Sequence, residues 1–336
     1  MLASAFGRAA IHERRVSRPW SKVLAAIVVG IVPGVAFGAD PVSRLPIETL
    51  KIEAQFPGPS GVQRDGDFLA YGYDAVWAIT AKGLIRVDPS DNRITNIKID
   101  GAVGGFRQPA IGEGGVWIAD IGSELVFKID PASYETVLKF RARMLTAEGS
   151  VAVASGSVWV VTAEEADSTL TRFSAATGAV EATIQLPSDG GGVLADFGSV
   201  WVVGRSKGEV YRIDPATNAI VQTIPGNPLP NFLAAGDGSV WVINSKDDVV
   251  QRIDGATGET LTSIDSGAQG QGGGIATGGG YVWVSKGGTP VVQIDPATNA
   301  ALGSYGGVGL GGSIHYAAGS LWVTGVHALY RIKPPG

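Results

Sequence analysis

Three histidines, His12, His315 and His327, are the whole imidazole inventory of this 336-residue chain, and cysteine is absent. Thiolate nucleophiles, disulfides and cysteine-ligated zinc or iron–sulfur centres are thereby out of reach. Ser313 and His315 share one face of a short apolar run, "GGSIHYAAGS". A nucleophile and base also need an orienting acid and an oxyanion hole, and that run supplies neither. If "AAGS" is a hairpin turn, His315 faces Trp322 and His327 lies five residues further on. That puts them ~16 Å apart at about 3.3 Å per residue, too far to share a metal. His315 reads as a packing residue, and no catalytic residue is assigned.

The remaining chemical signals are weak. "GAQGQGGGIATGGG" is glycine-rich but lacks Gly-Lys-Ser/Thr and a following helix to hold a phosphate. The acidic clusters "EEAD" (164–167) and "KDD" (246–248) do not have the ligand spacing of a calcium loop. They read as solvated loops.

The elements that carry these residues repeat. An aliphatic-Trp pair recurs at Trp77, Trp117, Trp159, Trp201, Trp241, Trp283 and Trp322, with spacings of 40, 42, 42, 40, 42 and 39. Each unit holds four short apolar or alternating runs separated by turn signals, a strand pattern rather than a helical one. Around Trp201 the runs are "GVLA", "VWVV", "EVYRI" and "AIVQTI", here strands a to d. Between c and d stands "DPATN" or a relative: Asp caps its own turn, Pro sets the type I φ, and Asn suits the left-handed position that follows. Seven units of four antiparallel strands predict an all-β, seven-bladed β-propeller.

Both chain ends support a closed ring. The last unit stops after strand c, at "LYRIKPPG", while "IETLKIE" (47–53) resembles a strand d without partners. The N-terminal strand is expected to complete the last blade and remove an open edge. The tryptophans are expected to fill the space between blades. Each would remove roughly 150–250 Å² from water, worth about 4–6 kcal/mol as an upper figure. Glycines serve turns and the close approach of inner strands.

Residues 1–38 have the layout of a secretory signal peptide: Arg8, Arg14, Arg15, Arg18 and Lys22 precede a 16-residue apolar run that ends in Ala36-Phe37-Gly38. That run is shorter than the roughly 20 residues of a spanning helix. Cleavage near Ala39 would release residues 39–336 as one domain, periplasmic or secreted and free of the membrane. Five of the 26 basic residues and one of the 31 acidic ones lie in the leader, so the remainder carries a net charge of about −9. Nucleic acid is an unsuitable partner for such a surface.

"GSVWV", "RIDPATN" and "VQTI" together resemble the seven-bladed propellers with YVTN or YncE-like repeats, and the related streptogramin (virginiamycin B) lyase-like proteins. The likeness extends over residues 47–333. The lyase branch implies a magnesium-assisted elimination that opens a cyclic ester, with a histidine base and acidic residues at the channel mouth. Lyase-like repeats read Trp-Phe-Thr-Glu where strand b ends. The corresponding fourth positions here are Thr80, Asp120, Thr162, Gly204, Asn244, Lys286 and Gly325.

In this topology the a–b and c–d turns share one face, and the b–c and d–a loops share the other. The first face is nearly uniform from unit to unit and the second varies. Loops on a rigid scaffold are where sites lie. Arg107, Gln108, Asp120, Thr162, Asn231, Phe232, Asn244 and Lys286 are expected around the channel mouth on the varied face, with His315 and His327 as further candidates. Such a set suits a small polar molecule or a protein or peptide partner. The expectation is a monomeric binding module with no cofactor, metal or chemistry of its own. The alternative is a lyase or lactonase that uses magnesium.

Overall fold

The computed structural model describes residues 44–57, 68–80, 83–105, 108–144, 151–164, 167–270, 272–307, 310–325 and 328–336. The chain divides into two compact units, 1–40 and 41–336, and every described residue belongs to the second. That unit is a seven-bladed β-propeller. Each blade is an antiparallel sheet in the order a-b-c-d, as in blade 4 with Gly190–Asp196, Ser199–Gly204, Glu209–Asp214 and Ala219–Pro225. The inner strands a touch their neighbours in sequence, and that of blade 7 returns to that of blade 1, so the ring is closed.

The closing strand is shifted from its expected place. Blade 7 is completed by β2 (Ile52–Pro57), paired antiparallel to strand c, Ala328–Ile332. Residues 47–53 were the expected strand, but Ile47–Thr49 forms a 3-10 turn instead. Packing explains the shift: Ile47 and Leu50 are buried against Trp283, Val291, Tyr305 and Leu321 between blades 6 and 7, which a straight edge strand could not achieve. A second N-terminal strand, β1 (Arg44–Pro46), runs parallel to the outer strand Ala300–Gly306 of blade 6 and makes that sheet five-stranded. The sequence reading did not foresee it. Residues 44–57 are thus a strap from blade 6 to blade 7.

The seven tryptophans are at most 1 % exposed, on strand b between blades as expected. Six of them, Trp159 excepted, donate from Nε1 to the carbonyl five residues upstream at 2.9–3.1 Å, which locks the a–b hairpin. Strand c places a side chain directly opposite each ring: Arg86, Lys128, Arg172, Arg212, Arg252, Gln293 and Arg331. Arg172, Arg212, Arg252 and Arg331 lie 4.7–5.4 Å from the ring centroid, and each donates from Nε to a strand-b serine. Their Nη1 atoms then cross to the next blade and donate to a c–d turn carbonyl, of Pro215, Ala256, Pro296 and Pro89 respectively, at 2.5–2.9 Å.

The "DPATN" turns behave as expected and do more besides. Asp214, Asp254 and Asp295 accept from their own turn backbone, and these hydrogen bonds hold their carboxyls below the usual carboxylate range. Asn92, Asn218 and Asn299 sit at φ of 56–60°. Their side chains also accept from Arg331, Arg172 and Arg252 of the preceding blade. Where the turn carries another residue at that position, the contact changes kind. Tyr134 meets Trp77 edge-on, and Gly178 makes room for Phe140, which packs on Phe173.

One strand-c position lacks a cation: Gln293, in blade 6. The next blade has no c–d turn for it to hold, because strand d of blade 7 comes from the N-terminus. The strap fills that junction instead with Ile47 and Leu50, while inside blade 7 Glu53 lies 3.4 Å from Arg331 and accepts from Ser320 at 2.7 Å. Glycine where inner strands converge also has a visible reason: a Cβ on Gly72 would lie 2.3 Å from Ile111, and one on Gly278 2.4 Å from Tyr316.

Removing the strap, residues 44–57, should lower the melting temperature far more than removing Pro334–Gly336. Parallel thermal melts of the two truncations check this, and equal small shifts would remove the strap from its closing role.

Candidate functional site

Among the described residues of the varied face, blades 2 to 6 carry different polar arrangements at or beside the end of strand b. Asp120 ends Gly115–Asp120 of blade 2 and is fully buried. Its Oδ2 accepts from Val103 N and Ser123 Oγ at 2.7 Å, and its Oδ1 from Gly104 N and Gly122 N at 3.1 Å. One carboxylate thus ties the d–a connection into blade 2 to the b–c turn of the same blade. Four donors fill its acceptor sites.

In blade 3, Thr162 is buried and shares hydroxyl hydrogen bonds with Thr169 and Thr171. In blade 4, Asp189 accepts from Ser206 N at 2.7 Å, and Tyr211 donates to Glu209 at 2.8 Å. Burial, helped by Glu209, pushes the Tyr211 hydroxyl up to about 12. Lys286, at the end of Tyr281–Lys286 in blade 6, is fully buried. It reaches back to blade 5, donating to Asn244 O at 2.9 Å and to the Asp248 carboxylate. Asn244 Nδ2 closes its own loop onto Val249 O at 2.9 Å.

These side chains were expected to be available to a ligand around the channel mouth. Asp120, Thr162, Asn231, Asn244 and Lys286 are instead buried. Phe232 is 6 % exposed and meets Phe68 of blade 1 edge-to-face, with ring centroids 5.8 Å apart. Gln108 is half-buried on the channel wall. His315 does face Trp322, half-buried on the inner strand of blade 7, and burial pushes its imidazole down to about 4, so it is neutral at physiological pH. Arg107, His327 and the "EEAD" side chains lie outside the described residues. Asp248 of "KDD" is engaged by Lys286.

The structure adds Phe68 and Asp248 to the set. "FLA" occurs at the start of strand a in both blade 1 (Phe68) and blade 5 (Phe232), and that repetition was a readable sign of the aromatic pair. Asp248 left no comparable sign, since its partner is 38 residues away in another blade.

The magnesium of the lyase resemblance can be tested against these donors. Asp120, the acidic residue among the seven strand-b ends, has its oxygens taken by three amides and a hydroxyl. Among the described residues, no three His, Asp or Glu side chains converge as a metal site would require. The donor set does not fit the ion.

Comparison with known proteins returns the fold. No protein-family model matches the chain, and no curated protein is similar to it in sequence. A streptogramin B lyase superimposes with a TM-score of 0.69 at 15% identity, covering 83% of this chain and 96% of that one. Virginiamycin B lyase from Staphylococcus aureus gives 0.66 at 13%, covering 84% and 99%. The Pan2 WD40 domain of Neurospora crassa also gives 0.66 at 13%, covering 85% and 96%. At these identities the likeness is one of architecture, common to a lyase and a WD40 domain alike.

Asp120→Ala should behave as a structural lesion. Four donors would lose a charged acceptor, at about 1.5–3 kcal/mol for such hydrogen bonds and more where a donor stays buried and unpaired. Chemical denaturation should show a loss of at least ~2 kcal/mol, and amide exchange should rise first at Val103, Gly104 and Gly122.

Proposed function

We propose that this chain is an exported binding module without chemistry of its own, and that it recognises a protein, a peptide or a small polar molecule on the face of the b–c and d–a loops. One observation carries the reading: among the described residues, three places on that face are fixed by three different buried devices. Blade 2 uses Asp120, blade 3 a threonine trio, and the junction of blades 5 and 6 uses Lys286 with Asp248. Loops left to drift would not each retain a buried polar network, which costs stability unless every member is satisfied. Rigid and individually shaped loops are what recognition needs, because little ordering entropy is then lost on binding.

The chemistry exposed there agrees with a partner surface. Val103 is 75 % exposed and Leu229 41 % exposed, both in d–a connections, with Lys207, Lys246 and Asp247 also exposed in the loops. Apolar anchors within a mixed-charge rim are the usual anatomy of a non-obligate interface. The acidic net charge disfavours a polyanionic partner. Export follows from the leader-like residues 1–38, and the released domain would act in the periplasm or outside the cell.

Val103→Asp combined with Leu229→Asp should abolish retention of whatever species co-purifies with the exported protein, as read by native mass spectrometry. The melting temperature should move little, because exposed substitutions usually stay within ~0.5 kcal/mol. If the double variant keeps the bound species while Ala216→Asp in a c–d turn loses it, recognition belongs to the other face.

A further inference from the structure

The face opposite the loops breaks its uniformity in blade 1. All seven a–b turns belong to the described residues, and because strand a is innermost they ring that end of the channel. In six of them the second turn residue is glycine: Gly114, Gly156, Gly198, Gly238, Gly280 and Gly319, at φ of 66–84°. Blade 1 places Tyr73 and Asp74 in its turn instead, at φ of 51° and 53°. Asp is tolerated in the left-handed region, whereas a bulky aromatic is a rare occupant of it. Tyr73 gains no burial in exchange, being 41 % exposed. Strain kept where no core is gained points to a use at the surface.

Further tyrosines extend this point into an arc. Tyr71 and Tyr316 hold the same strand-a position in blades 1 and 7, opposite Val76 and Leu321, and those inner strands are neighbours. A side chain at that position leans over the a–b turn of the preceding blade, as Thr277 does at Gly236 and Tyr316 at Gly278. Tyr316 also stacks parallel to Trp283 with 6.5 Å between centroids, and Tyr281 meets the same ring edge-on at 5.6 Å. Tyr71 is 37 % exposed, and Tyr281 and Tyr316 are half-buried. Charge in the turns has one sign. Asp74, Glu113, Asp196 and Asp237 stand in them, and no lysine or arginine does. The strand-c cations of blades 7, 1 and 2 are already engaged: Arg331 with the Pro89 carbonyl, Arg86 with Asp88 at 3.5 Å, and Lys128 on the Trp117 ring at 5.0 Å.

We propose that this channel mouth, centred on Tyr71, Tyr73 and Asp74 with Glu113 and Tyr316 beside them, is a second docking surface, and that its occupant is a basic segment of a partner protein held through arginine. Complementarity decides the class. A guanidinium stacks on an aromatic face and donates in pairs to a carboxylate, and both groups are offered here side by side. The chain uses the same stacking internally, where Arg172, Arg212, Arg252 and Arg331 lie on tryptophan rings. An acidic segment would meet charges of its own sign, and an apolar one would strip water from carboxylates without replacing it. The surface lies on the face away from the b–c and d–a loops, so it is independent of recognition there.

The test titrates acetyl-(Arg-Gly)3-amide, its lysine counterpart and its glutamate counterpart into the full protein at low ionic strength, where exposed charges are least screened. The arginine peptide should bind with a Kd at or below ~1 mM, near the weak end of specific binding. The lysine peptide should be at least about threefold weaker, because it stacks less well, and the glutamate peptide should not bind. Asp74→Asn with Glu113→Gln should weaken the arginine peptide at least about fivefold. Asp100→Asn with Glu124→Gln, which removes the same charge from the loop face, should change it less than about twofold, since screened distant charges contribute little. Tyr73→Gly should weaken binding at least about threefold without lowering the melting temperature, because glycine accepts the left-handed φ freely; a tyrosine that served only the turn would do the opposite. In the wild-type protein, amide shifts should centre on residues 71–74, Glu113 and Tyr316, a reading that does not depend on how any variant folds. Absence of arginine-peptide binding, equal affinity for the lysine peptide, equal losses in the two charge variants, or shifts centred on residues 103–105 and 226–229 would overturn the proposal.

Discussion

The ring is organised by the tryptophan of strand b, which in blades 3, 4, 5 and 7 carries an arginine on its face while that arginine donates hydrogen bonds to the next blade. The tryptophan alone would fill space. With arginine opposite it on strand c, the packing gains direction: Nε is fixed by a serine on the same blade and Nη1 by a turn carbonyl on the following one. The guanidinium is planar, permanently charged and multiply donating, so it can stack and reach at once, which an ammonium does less well. Repetition of this contact explains why the a–b and c–d turns are nearly uniform. The a–b turns receive the tryptophan of their own blade and the c–d turns are the receiving half of an inter-blade joint, so a change of backbone in a c–d turn would cost two blades rather than one.

A ring built this way has a problem where the chain begins and ends. Blade 7 has no c–d turn, so the arginine of blade 6 would have nothing to hold, and a glutamine stands there with its Nε2 unpartnered. The N-terminal strap supplies what the turn cannot. It adds β1 to the outer edge of blade 6, buries Ile47 and Leu50 in the cleft, and provides strand d to blade 7. Arg44 fastens the far end, donating to Gln269 Oε1 at 2.9 Å and to Gly288 O, over a glycine, Gly306, whose missing side chain leaves it room. Closure is thus spread over a packed segment rather than assigned to a single strand. With one face consumed by the joints, the other is where blades are free to differ. There the strand-b ends carry aspartate, threonine, asparagine and lysine in turn.

Much of this was legible in the sequence because it repeats. The Trp spacing, the hairpin pairing of His315 with Trp322 and the left-handed Asn of "DPATN" are local features, and local features can be read from one chain. Depth could not be read in the same way. A strand end such as Asp120 or Lys286 looks alike whether its side chain meets solvent or is folded under a loop, and the deciding partners, Val103 and Asp248, come from other turns. The strap escaped for a related reason: "IETLKIE" has the alternation of a strand, yet Ile47 and Leu50 are more useful in the cleft than in a ladder. The Phe68–Phe232 contact spans the ring, and sequence distance gives no hint of which blades face each other.

The most direct measurement compares the same substitution at two equivalent strand-c positions by equilibrium denaturation. Arg331→Met breaks a joint that has a turn to receive it and should cost about 2–3 kcal/mol, the range of charge-assisted hydrogen bonds. Gln293→Met, opposite Trp283 at the junction without a turn, should cost ~0.5 kcal/mol or less. Losses of equal size at the two positions would show that the side chain on the tryptophan matters only for local packing, and that the blades are not held together in the way described.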